Sequence, residues 1–201
     1  MNAIGLIVQQ LETVNLRFHH VSRDLSGELL PIAISETANP IGFLLWHIAR
    51  SQDWAAQTAI RGVPEVRHRH PWSEMRGIGG LGIGTGFSRA EANSLVKEVE
   101  LPALLAYADA VSEEVISWVR GLRESDLDSI PDVASHQSGR AEYHTPGFIA
   151  EMSSGPEHDQ AVGRTGGQPA WLYLTSVCIT HPHRHLGELD LTLGVHTGRA
   201  G

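Results

Sequence analysis

Apolar residues recur along much of the chain at steps of three and four, the period of a helix with one buried face. Ile7, Leu11, Val14, Phe18, Val21 and Leu25 form the first such stripe, and Gly27 and Pro31 break it. Asn39-Pro40 opens a second segment. Asn is a good N-cap, and proline loses nothing at the first helical position, where its missing N–H would have no partner. From Ile41 to Ile60 the only breaker is Gly42, near the start; Gly62 and Pro64 close the run. Ser88-Arg89-Ala90-Glu91 has capping-box spacing and predicts a short helix. A third long segment starts at Leu101-Pro102. Its stripe is Leu104, Leu105, Ala108, Val111, Val115, Trp118, Val119 and Leu122, and Asp126-Leu127-Asp128 and Pro131 end it. The fourth segment spans about Pro169 to Leu193. No strand-like alternation and no internal repeat is present. The expected architecture is all-α: a four-helix bundle with a long crossover, formed by residues 1–201 as a single domain.

Two stretches fall outside the helical pattern. Residues 62–87 hold His68-Arg69-His70-Pro71-Trp72 and a glycine-rich run from Gly77 to Gly86. Residues 130–168 are rich in Gly, Ser, Pro, His and acidic side chains. Structureless loops of that length are uncommon inside a compact domain. The second stretch is therefore a lid, a partner-binding arm, or the host of a short element near Phe148 to Met152.

Composition narrows the class. Of 201 residues, 15 are Lys or Arg and 23 are Asp or Glu, for a net charge of −8. That balance lacks the basic footprint of a duplex-binding protein, so nucleic acid is not an expected partner. The single cysteine, Cys178, excludes an internal disulfide and a four-cysteine zinc site. No basic region precedes the apolar residues at the N-terminus, and no segment reaches the ~18 apolar residues of a membrane span. A cytoplasmic protein without a membrane partner is expected. Histidine is the unusual residue, with 12 copies.

The histidines suggest chemistry in the last helix, His181-Pro182-His183-Arg184-His185-Leu186-Gly187-Glu188. His181 and His185 stand four apart, so they share one helix face with Cβ atoms roughly 5–6 Å apart. Two imidazoles so placed can hold one first-row metal ion, whereas His183 points to another side. Catalytic zinc usually takes three protein ligands and keeps one position open. The best third candidate is His47, in the apolar Leu44-Leu45-Trp46-His47-Ile48, with Phe43, Leu44, Ser51, Trp54 and Thr58 as its neighbours by helical angle. Each histidine also has a plainer reading, as a core residue for His47 and a surface cluster for the pair. Glu188 lies on the ligand face and suits either orienting a histidine or acting as a base. Cys178 shares that face and reads as a small core residue.

Other signals carry less. Gly77-x-Gly79-x-x-Gly82 matches a dinucleotide fingerprint by letter, but no strand precedes it, and it reads as a surface linker or a hinge beside a pocket. His68 and His70 are candidates for a fourth ligand or a substrate contact, against a solvated loop. His136, His144 and His158 carry the same plain reading, and His19 and His20 are assigned no role. Metalloprotease HExxH, hydrolase GxSxG and deaminase-type cysteine pairs are all missing.

Ile41-Gly42-Phe43-Leu44-Leu45-Trp46-His47-Ile48-Ala49, followed by His181-x3-His185-Leu186-Gly187-Glu188-Leu189, resembles the DinB/YfiT-like superfamily. Leu101-Pro102-Ala103-Leu104-Leu105-Ala106-Tyr107 with Asp126-Leu127-Asp128 is similar to the third-helix region of its members, and the likeness covers Pro40 to Gly194. The resemblance implies a four-helix bundle, often a homodimer, with one divalent transition metal (Zn, Ni, Fe or Cu) on His47, His181 and His185. Some members are thiol transferases using bacillithiol or mycothiol, and others are mycothiol-dependent maleylpyruvate isomerases. By that likeness the chain is a transferase or isomerase that acts on a small electrophile with a low-molecular-weight thiol as co-substrate. The alternatives are a hydrolase in which the metal activates water, and a non-catalytic module braced by the metal. Two features depart from the pattern. Pro182 removes a helical hydrogen bond inside the ligand helix and should bend it, and the 130–168 segment is longer than expected of the family.

Overall fold

The computed structural model describes residues 2–79, 82–138 and 168–198. His144, His158 and the Phe148–Met152 stretch lie outside the described residues.

The elements follow the hydrophobic pattern closely. Helix α1 (Ala3–Ser22) begins where the Asn2 side chain accepts the Gly5 N–H at 2.8 Å. Its apolar stripe is buried, and Leu25 packs on the core just beyond its end. Helix α2 (Ile41–Asp53) continues through a wide turn, Trp54–Ile60. Helix α3 (Arg89–Glu98) has both bonds of the capping box: Ser88 accepts from the Glu91 N–H, and Glu91 accepts from the Ser88 N–H at 2.7 Å. Helix α4 (Leu101–Arg120) carries its stripe inward. Two single turns follow, α5 (Glu124–Leu127) and α6 (Val133–His136). The last long segment is α7 (Ala170–Thr175), a second wide turn (Ser176–Thr180) and α8 (His181–Thr197). Among the described residues there is no strand, and no helix is long and apolar enough to cross a membrane.

All four long segments contribute to one contiguous apolar core. Helix α2 is its axis: every residue from Ile41 to Asp53 is buried, because α4, α8, α3 and the segment after α2 enclose it. A helix covered on all sides has no solvent face for polar residues. Arg50, Gln52 and Asp53 must therefore find partners inside the protein.

The expected disruption at Pro182 is compensated rather than expressed as a break. Pro182 sits in the first turn of α8, immediately after the wide turn. Its missing N–H would have served the Cys178 carbonyl, four residues back. That carbonyl instead accepts the Gln52 side-chain N–H at 2.9 Å. The two halves of the last helix thus continue past the proline, pinned to α2 at this point.

The glycine-rich run departs from the surface-linker reading. Gly82, Ile83 and Gly84 are buried and lie against α2. Gly84 has φ +84, and a Cβ there would stand 2.7 Å from the Trp46 ring and 2.9 Å from Phe43. Both the backbone conformation and the close approach call for glycine. Gly84→Ala is expected to lower the melting temperature, at a cost of about 1–3 kcal/mol, and a thermal melt matching that of the unaltered protein would contradict this packing.

Candidate metal centre

Helix α2 presents His47, and the start of α8 presents His181 and His185. Their ring nitrogens converge. The Nε2 atoms of His47 and His181 are 3.0 Å apart, as are those of His181 and His185. Among the described residues this is the one group of three metal-ligating side chains close enough to share an ion. His47 and His185 are 8% and 4% exposed, and His181 is half-buried.

The opposite ring nitrogens set the direction of the lone pairs. His47 Nδ1–H donates to the Ile83 carbonyl, held in place by the buried Gly82-Ile83-Gly84 strap. His185 Nδ1–H donates to Glu188 Oε2 at 3.0 Å. With those protons committed, both Nε2 lone pairs face the common centre. His181 Nδ1 is buried without a protein partner. Phe43 stacks on His47, with ring centres 5.5 Å apart, and with Trp46 and Phe87 forms an apolar wall.

Burial keeps the His47 and His181 imidazoles neutral. The His47 pKa is lowered to about 4 by burial, with the charges of His185, Arg184 and Arg50 adding to the effect. That of His181 is lowered to about 2 by burial, then by His47, His185 and Arg184. Neutral imidazole is the form that donates a lone pair to a metal. The same shifts make the metal-free protein acid-sensitive. The folded-state pKa lies below the unfolded value of 6.5, so protons favour the unfolded chain. The stability is complete above pH 6.5 and is lost as pH falls from there toward about 4. His47 alone should cost about 2 kcal/mol by pH 5, at ~1.36 kcal/mol per unit. Urea midpoints of metal-free protein at pH 7.5, 6 and 5 measure this, and a flat series would count against it.

Beside the triad lies a buried ionic network absent from the sequence-based expectations. Arg50 Nη2 donates to Glu65 at 2.7 Å, and Arg50 Nη1 to Asp53 at 3.2 Å and to the Tyr107 hydroxyl at 2.8 Å. Arg67 Nε donates to Glu65 at 2.8 Å, and Tyr107 OH donates to Asp53 at 2.6 Å. Asp53 also accepts the backbone N–H groups of Val66 and Arg67. Burial pushes the Asp53 carboxyl upward against the pull of Arg50, and burial raises the Tyr107 phenol well above its ordinary value. Arg50 Nε donates to the Gly82 carbonyl at 3.2 Å, and Arg67 Nη1 to that of Gly79 at 2.7 Å. The network therefore anchors the strap whose next carbonyl, that of Ile83, orients His47. One sequence signal pointed here: Arg50 and Asp53, three apart, in a helix otherwise without charge.

The match to a known family follows the same residues. The sequence profile of the DinB superfamily matches residues 10–189. The chain belongs to the DinB superfamily. A solved structure, that of a conserved protein from Enterococcus faecalis, superposes with a TM-score of 0.68 at 16% identity, covering 99% of each chain. That likeness bears on the fold alone. Among the curated proteins none matches this chain. The superfamily bundle thus brings together His47, His181 and His185, and places Glu188 against His185. The remaining described histidines lie elsewhere. His68 and His70 are exposed, His19 pairs with Asp109 at 2.8 Å, and His136 Nδ1 meets the Ala59 carbonyl at 3.0 Å. Cys178 is buried in the core.

Proposed function

We propose that this DinB superfamily protein holds one divalent transition metal on His47, His181 and His185 and catalyses a thiol-dependent transfer or isomerisation of a small electrophile. The observation that carries this reading is the convergence of three imidazole Nε2 atoms, two of them aimed by hydrogen bonds at the far side of the ring. An ion bound there supplies positive charge that lowers the pKa of a thiol or water at its open position. His47 and His185 would hold the ion with the lone pairs they turn to the common centre, and Phe43 and Trp46 keep bulk water from the His47 side.

The chain's own nucleophile is not Cys178. Burial raises its thiol pKa to about 12, and it is the sole cysteine. An external nucleophile is required. Glu188 already accepts the His185 Nδ1–H and is engaged in orienting that ring. A thiol, with an ordinary pKa near ~8.5 against ~15.7 for water, needs far less help to ionise. This favours transfer over hydrolysis.

The test uses metal-loaded protein with 1-chloro-2,4-dinitrobenzene as electrophile and 2-mercaptoethanol as thiol. Arylation above the uncatalysed rate should appear only with thiol present and vanish in His47→Ala. Turnover in water alone, indifferent to added thiol, would overturn the transferase reading in favour of hydrolysis.

A further inference from the structure

Arg184 occupies an unexpected place for a residue on an exposed helix surface. Its Nη2 lies 3.2 Å from His185 Nε2, the nitrogen that faces the centre of the triad. Its Nε lies 3.9 Å from Glu188 Oε1, and its side chain is 63% exposed. The guanidinium therefore stands between His185 Nε2 and solvent. Its charge is felt by His47 and by His181.

A hydrogen bond to the His185 Nε2 lone pair and a metal bond to it exclude one another. When the triad holds an ion, the guanidinium has to release that nitrogen. Exposure gives it room to do so. Glu188 keeps it nearby, because one carboxylate oxygen holds His185 while the other faces the Arg184 Nε. The result is a tethered planar cation beside a second positive charge. Such a pair favours a ligand that brings a negative group, and guanidinium matches a carboxylate in two parallel hydrogen bonds.

Resting on the metal-site reading above, we propose that Arg184 is the specificity-determining residue of the pocket: it selects small molecules bearing a carboxylate by pairing with that group while the rest of the molecule enters the triad. The buried Arg50 and Arg67 cannot serve this purpose, since both are committed to Glu65. Arg17, another cation close to α8, pairs with Asp190 and His183 on the far side of that helix.

The experiment uses Co(II)-loaded protein and follows the visible spectrum during titration with three thiols of similar size. They are 3-mercaptopropionate, 2-mercaptoethanol and cysteamine, carrying an anionic, a neutral and a cationic group. The unaltered protein should bind 3-mercaptopropionate about tenfold or more tightly than 2-mercaptoethanol, with cysteamine weakest. In Arg184→Gln that preference should collapse toward unity, with Co(II) stoichiometry unchanged. An equal preference in both proteins would overturn the proposal and leave the metal site standing. So would a uniform loss of affinity for all three thiols, because Arg184 would then act on the ion rather than on the carboxylate. Failure of the unaltered protein to take up Co(II) at all would sink the metal-site reading itself, and this proposal with it.

Discussion

Protein purified without a nickel column is expected to carry about one divalent ion per chain, and the His181→Ala/His185→Ala double variant none. Three imidazoles converge on one point, and removing two leaves a single neutral ligand, too few for any first-row ion. The expected loss of affinity exceeds about a thousandfold. Glu188→Ala provides a graded comparison. It removes the acceptor that orients His185 together with the carboxylate that faces Arg184, and such outer contacts are worth about ten- to a hundredfold in affinity. Metal analysis by mass spectrometry and competition with a chromophoric chelator read both effects. Because an ion held there would bind the folded chain, its loss should also abolish any metal-dependent rise in melting temperature. Equal metal content in the unaltered protein and the double variant would refute the site.

The second large effect is a loss of stability in Glu65→Ala, of about 3–5 kcal/mol. Glu65 is fully buried and faces the guanidinium groups of Arg50 and Arg67, while its other oxygen accepts the Thr58 hydroxyl. Deleting the carboxylate leaves two buried cations, with Asp53 still paired to Arg50, and Asp53 is itself pushed toward its neutral form by burial. A typical domain has about 5–15 kcal/mol in hand, so this one change takes a large share of it. The exposed pair of Arg120 and Glu12 serves as the control: Glu12→Ala should cost under about 1 kcal/mol, because water already screens both groups. Denaturant midpoints decide the matter, and a Glu65→Ala cost as small as that of Glu12→Ala would mean the network contributes little. Arg50 and Arg67 also hold the carbonyls of Gly82 and Gly79. The Glu65 variant should therefore bind metal more weakly even at temperatures where it stays folded.

The family match explains why the bundle and the triad were legible in residue order. Helical period is a local property, and the stripes of α1 and α4 mark their buried faces without reference to any partner. The capping box at Ser88 is likewise a local signal, whereas at the start of α2 Pro40 and not Asn39 is the N-cap, with no side-chain cap bond. A pair of histidines four apart declares itself because one helix brings both to one face. His47 was reachable because an imidazole in an apolar helix is out of place unless it has a task.

Contacts between distant segments were not legible in this way. Pro182 signals a missing hydrogen bond, but nothing in its neighbourhood shows that Gln52, 126 residues from Cys178, supplies the replacement donor. The glycine run looks like a flexible linker because glycine permits both mobility and close packing. Only the approach of Trp46 and Phe43 to Gly84 decides for packing. Glu65 and Arg67 look like ordinary loop charges until the chain folds them onto Arg50.

The sequence by itself determined an all-α chain, its four long helices, its membership of the DinB superfamily, and three histidines apt for one metal ion. These follow from periodicity, capping chemistry and ligand spacing, which act within a helix. Tertiary structure alone decided that α2 is buried on every side and that the Ile83 carbonyl sets the direction of the His47 imidazole. Those depend on the burial of polar groups against segments remote in the chain, where each donor must find an acceptor because water cannot reach it.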